Sequence, residues 1–126
     1  MQRLLAYARE VAPRAYAPYS HFRVGAALQD ANGSLFVGCN VENVSYGLTI
    51  CAERSAICAA VAAGAARPFV AMAVVCIDAE DGSCSPCGAC RQVIAEHFAP
   101  DAVIAVDGVG QFTPAELLPL AFRFQA

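Results

Sequence analysis

Thr49-Ile50-Cys51-Ala52-Glu53-Arg54-Ser55-Ala56-Ile57 places a thiol, a carboxylate and a guanidinium within four residues. It opens an alanine-rich, helix-prone run over residues 51–63, for which Gly64 is a natural stop. The N-terminus of a helix exposes unpaired N–H groups and the positive end of the dipole, which favours thiolate over thiol at Cys51. Thiolate is also the form that binds a metal. A second stretch, Ser85-Pro86-Cys87-Gly88-Ala89-Cys90-Arg91, has the matching character. Its Cys-x-x-Cys spacing sets two sulfurs about one helical turn apart, and Pro86 suits a helix start.

The remaining chain supplies elements around these two helices. Leu4, Leu5, Ala8 and Val11 recur at helical spacing, predicting an amphipathic helix over 3–12, kinked by Pro13 and ended by Pro18. Apolar runs at 24–29 and 35–39 flank Asn32-Gly33, a strong two-residue turn signal, and predict a β-hairpin. Gly25 within the first run marks a bulge or a close backbone approach. A polar loop, Gly38-Cys39-Asn40-Val41-Glu42-Asn43-Val44-Ser45-Tyr46-Gly47, leads into the first motif. The apolar run 69–77 predicts a strand covered on both faces. After a loop at 78–86 come a helix over 88–98, a strand over 102–106, a turn at 107–110 and a short helix from Pro114 to residue 118. This order specifies an α/β sandwich in a single domain, residues 1–126.

Composition narrows the partners. All eight basic residues are arginine and the net charge is -3, with no basic stripe to grip a phosphate backbone, so a nucleic-acid polymer is a poor partner. The hydrophobic share is 58%, above the ~45–50% usual for globular domains. Alanine inflates that figure, yet it still points to apolar surface buried between subunits. The first ten residues interrupt their apolar positions with Arg3, Arg9 and Glu10, unlike a signal peptide or a membrane span, so the default location is cytoplasmic. Seven cysteines, an odd number with three crowded into 84–90, fit a metal site in a reducing compartment better than a disulfide framework.

Zinc prefers sulfur and nitrogen ligands in a tetrahedron. Cys51, Cys87 and Cys90 make three, and a fourth position left to water distinguishes a catalytic zinc from a structural one. Glu53, two residues beyond Cys51, is then placed to accept a proton from that water. Arg54, Arg91 and two helix N-termini offset the excess negative charge of three thiolates. Other readings stand beside this one. Cys-x-x-Cys alone also suits redox chemistry or half of a structural zinc site, and Cys84-x-x-Cys87 is a second possible pair. Cys84 precedes Pro86 and belongs to loop, which favours Cys87 and Cys90. Cys39, Cys58 and Cys76 sit in apolar runs and read as core. His21 reads as a loop or surface residue, and Arg23 has no reading from the sequence.

Cys51-Ala52-Glu53 with Pro86-Cys87-Gly88-Ala89-Cys90 resembles the signature of the zinc deaminases, in the branch where cysteine replaces histidine as first ligand. With Tyr19-Ser20-His21-Phe22-Arg23-Val24-Gly25-Ala26-Ala27 and Gly38-Cys39-Asn40-Val41-Glu42-Asn43, nearly the whole chain is similar to the free-nucleoside cytidine deaminase family. Polynucleotide and nucleotide deaminases typically carry histidine where Cys51 stands. The resemblance implies a three-layer α-β-α sandwich with a central mixed β-sheet and one Zn2+ per subunit, held by Cys51, Cys87 and Cys90. It implies hydrolysis of cytidine and 2′-deoxycytidine to uridine and 2′-deoxyuridine with loss of ammonia, as in pyrimidine salvage. Zinc-activated hydroxide would attack C4, with Glu53 as the proton shuttle.

The same resemblance implies that Asn40 and Glu42 hydrogen-bond the ribose, that Phe22 packs on the pyrimidine, and that the Ala52 N–H meets the base's O2. Arg54 would hydrogen-bond the ligand thiolates. Tyr46 and the C-terminal aromatic Phe124 would reach a neighbouring subunit's site within a homotetramer. Two competing expectations are a deaminase for blasticidin S, which shares the cysteine motifs, and a zinc or thiol-redox module without catalysis. The second requires a fourth protein ligand such as Cys84, and a dispensable Glu53.

Overall fold

A computed structural model describes residues 1–80 and 84–124 of the chain. Residues 81–83 of the expected 78–86 loop, and residues 125–126, lie outside the described residues.

The apolar run forms a central strand. It is β3 (Phe69–Cys76), preceded in the chain by α1 (Gln2–Val11), β1 (Val24–Gln29), β2 (Leu35–Cys39) and α2 (Ala52–Ala62). Alternate β3 side chains serve different layers. Met72 and Val74 pack with Ala56, Ile57 and Ala60 of α2 and with Ile94 of α3 (Gly88–His97). Ala73 and Val75 pack on the opposite face with Leu4 and Ala8 of α1. A strand covered on both sides has no solvent face, which is why its sequence lacks polar alternation. The result is three layers, helix on sheet on helix.

β4 (Phe98–Val106) runs parallel to β3, while the β1–β2, β1–β3 and β4–β5 pairs are antiparallel, so the sheet is mixed in the order β2-β1-β3-β4-β5. The parallel pair needs a crossover, and α3 provides it. Two glycines set how closely the helices lie. A Cβ on Gly25 would strike the Ala8 carbonyl oxygen, and one on Gly38 the Ala56 backbone nitrogen. Gly25 therefore marks a close approach. Asp30, only 3 % exposed, braces the hairpin turn. Its carboxylate accepts N–H bonds from Asn32 at 3.0 Å, Ser34 at 2.8 Å and Ala66 at 2.9 Å.

Three expectations need correction. The first helix stops at Val11, and Pro13 sits in a separate 3-10 turn, Ala12–Arg14, because proline offers no N–H to continue the ladder. β4 starts at Phe98 rather than at residue 102; its pairing with β3 shifts register between Phe69 and Ala71, which accommodates Pro100. The turn after residue 107 leads into an unexpected edge strand, β5 (Gly110–Phe112). The final helix, α4 (Pro114–Leu117), is closed by a reciprocal Thr113–Glu116 capping box. Among the described residues, no helix is long and apolar enough to cross a membrane.

Candidate metal centre and active-site cleft

Cys51 is the N-cap of α2 and Cys87 the N-cap of α3. Cys90 lies one turn into α3 and is fully buried. Their sulfurs converge: Cys51 Sγ is 3.7 Å from Cys87 Sγ, which is 3.5 Å from Cys90 Sγ, and all three lie within 4.8 Å of one another. Tetrahedral zinc–thiolate bonds of about 2.3 Å put ligand sulfurs about 3.8 Å apart, so the cluster fits zinc without rearrangement. The protons on these thiols are shared unevenly. Cys51 is drawn well below the usual thiol range, first by the neighbouring Cys90 thiol and then by Arg54, while Cys90 is pushed up by the same contact and by burial. Arg54 Nη2 stands 3.5 Å from Cys51 Sγ and 3.5 Å from the Thr49 carbonyl oxygen. Its buried Nε has no partner among the described residues.

Cys84 is not in this group. It is buried, and burial beside Cys76 pushes its thiol up to about 11. Arg91 is engaged with the backbone on both sides. Its Nε donates to the Pro86 carbonyl at 2.7 Å and its Nη1 to the Leu117 carbonyl at 2.9 Å, bracing the turn that delivers Cys87 against α4. Of the cysteines expected in the core, Cys76 is buried, Cys39 is half-buried and Cys58 is exposed. α2 buries Ala52, Glu53, Ala56, Ile57 and Ala60, a helical stripe that leaves Cys58 on the outer face.

Cys90 is buried, while Cys51 and Cys87 line a cleft of about 390 Å³. Glu53 lines it too, 4 % exposed, its carboxyl pushed up to about 7 chiefly by loss of water. Phe22, Asn40 and Ala52 complete the predicted residues that meet there. Asn40 already spends part of its amide on the backbone, donating to the Phe22 carbonyl at 2.8 Å and accepting from the Val24 N–H at 2.8 Å.

Glu42 lies elsewhere. It lines an adjoining recess with Tyr19 and Tyr46, and Ser20 and Thr49 border both hollows. Its carboxylate accepts from the Tyr19 N–H at 3.0 Å, from the Ser20 N–H at 3.2 Å and from the Ser20 hydroxyl, which holds it below the usual carboxylate range. Tyr46 is 75 % exposed and makes an edge contact with Tyr19. Phe124, 83 % exposed, borders a separate hollow with Ala95 and Glu96, away from the cleft of its own chain. Residue chemistry did not single out Ser20, Thr49, Cys84 or Ser85 as cleft residues. Only for Cys84 was there a usable signal, its position in the cysteine cluster.

A model of the cytidine and deoxycytidylate deaminase zinc-binding region matches residues 1–106. A cytidine deaminase of Sporosarcina psychrophila is 47% identical, covering 97% of this chain and 90% of its own. The crystal structure of cytidine deaminase from Mycobacterium tuberculosis superposes with a TM-score of 0.86 at 44% identity, covering 98% of this chain and 97% of its own. A blasticidin-S deaminase of Bacillus cereus is more distant, 34% identical over 79% of this chain and 76% of its own length. Sandwich and site together define a hydrolytic deaminase with a zinc-binding region. The chain belongs to the cytidine and deoxycytidylate deaminase family.

Proposed function

We propose that this enzyme hydrolyses cytidine and 2′-deoxycytidine to the uracil nucleosides and ammonia, serving pyrimidine salvage. The observation that carries the reading is a cluster of three thiols, two of which, Cys51 and Cys87, line one small cleft with a buried Glu53 and the Phe22–Asn40 wall. One Zn2+ per subunit, held by Cys51, Cys87 and Cys90, would supply a water acidic enough to attack at neutral pH. Everything else falls to the chain. Glu53 takes one proton of the attacking water on its carboxylate oxygen and passes it to N3 of the base. It then takes the proton of the new C4 hydroxyl and delivers it to the 4-amino group, which departs as ammonia while C4=O forms. An amine leaves a tetrahedral carbon poorly unless protonated, so the reaction needs this relay.

Phe22 offers an apolar face for the pyrimidine, and the Ala52 N–H, at the free end of α2, suits the base's O2. Asn40, in the cleft, and Glu42, in the adjoining recess, suit the ribose hydroxyls. Arg54 stabilises the thiolates. Tyr46 and Phe124 are so exposed that they fit a role across subunits, and a homotetramer of single-domain chains would supply the neighbours. Seven unpaired cysteines among the described residues accord with the reducing cytoplasm.

The test measures ammonia release from cytidine, deoxycytidine and blasticidin S by wild type, Glu53→Gln and zinc-stripped protein. Glu53→Gln is expected to keep its zinc and to lose at least about a hundredfold in kcat. Unchanged turnover would sink the mechanism, and preference for blasticidin S would redirect the substrate assignment.

A further inference from the structure

Phe22 reaches the cleft from a stretch of backbone that belongs to no strand until Val24. The residue before it, His21, has φ 59°, a left-handed conformation that a non-glycine residue keeps only where its surroundings hold it. Side chains hold the neighbouring backbone groups. The Phe22 N–H donates to the Ser20 hydroxyl at 3.1 Å, and Asn40 secures the Phe22 carbonyl and the Val24 N–H.

Arg23 is secured by a single carboxylate. Its backbone N–H and Nε both donate to Asp78 Oδ2, at 2.8 and 3.0 Å, and its Nη2 donates to Oδ1 at 2.9 Å. The Arg23 carbonyl accepts from the Ile77 N–H at 3.2 Å, so main chain and side chain are both tied to the end of β3. Isolated surface ion pairs contribute little. This one differs because it is bidentate and also captures a backbone donor. The Arg23 bonds hold the Asp78 carboxyl down at about 2, leaving it ionised at neutral pH. Phe22 and Val24 line the cleft, whereas Arg23 and Asp78 do not.

We propose that the Arg23–Asp78 pair is a positioning clamp that holds Phe22 in the cleft wall and thereby sets nucleoside affinity, leaving the chemical step to Glu53. The clamp rests on the reading of the cleft as a nucleoside site. It also gives Asp78 a role: just past the end of β3, it anchors the backbone that carries Phe22.

Zinc-loaded wild type, Asp78→Ala, Arg23→Ala and the double variant are compared with cytidine as substrate. Asp78→Ala is expected to raise KM on the order of tenfold with kcat within about twofold of wild type, the size of one lost charge-assisted contact. Arg23→Ala keeps the backbone bond and should raise KM less, and the double variant should match Asp78→Ala. An unchanged KM, or a fall in kcat with KM constant, overturns the clamp. If Asp78→Ala does not fold, Asp78→Asn decides, with a smaller KM rise in support and none against. Amide hydrogen exchange separates this inference from the functional one. If wild type leaves cytidine untouched, the functional reading fails. In that case, faster exchange at Phe22 and Arg23 in the Asp78 variant supports the clamp, and unaltered exchange overturns it.

Discussion

Cys51 and Cys84 are two thiols on one cleft, and their surroundings give them opposite characters. Cys51 caps a helix beside Arg54 and a donating Cys90, and its thiolate is stabilised; Cys84 is buried against Cys76, and its thiol keeps its proton. The spacing Cys84-x-x-Cys87 is as good a chelating pattern on paper as Cys87-x-x-Cys90. Geometry separates them, because Cys90 lies on the inner face of α3 while Cys84 falls before the helix begins. Cys84→Ser is therefore expected to retain full zinc content by metal analysis, and loss of metal would overturn the ligand set. Cys51, Glu53 and Arg54 were legible because a helix start makes close neighbours of them. Arg23 was not legible, because its partner Asp78 stands 55 positions away. Cys58 misled for a related reason: an alanine-rich helix has weak amphipathicity, so the sequence barely marks which face is outward.

At the level of elements, two helices seat on the sheet by way of glycines. α1 lies on β1 at Gly25 and α2 on β2 at Gly38, each so close that a methyl group would meet backbone. Backbone cannot swing aside as a side chain can. Gly38→Ala should therefore destabilise by at least ~1–3 kcal/mol, read as a lower urea midpoint. It should also disturb the metal site, since α2 carries Cys51 at its start; a midpoint equal to wild type would show that the helix adjusts freely. The hairpin, α2 and β3 were readable from the Asn32-Gly33 turn, from helix propensity and from an unbroken apolar run. β5 was not, because three residues carry too short a pattern, and its edge position comes from pairing with β4. The early start of β4 was hidden by Pro100, tolerated only where the ladder is irregular.

For the whole molecule, the apolar excess has a visible location. Val44, Tyr46 and Leu48 in one segment, and Leu120, Phe122 and Phe124 in another, are all more than 60 % exposed. Patches of this kind mark association surfaces. Sedimentation is expected to give four chains per particle, and Phe122→Ala with Phe124→Ala to shift the distribution to smaller species; a wild-type monomer at micromolar concentration would refute the assembly. The layered α/β class and the candidate ligands, Cys84 still among them as an alternative, could be read from local pattern, because helix starts, turn pairs and apolar periods repeat within a few residues. The sequence also determined the chemistry to expect of Cys51-Ala52-Glu53. Cys84's place outside the metal cluster, Glu42's recess beside the cleft and the grip of Arg23 on Asp78 emerge from the folded chain alone. Those outcomes depend on which distant backbones the sheet brings side by side, and on how far burial strips water from the groups between them.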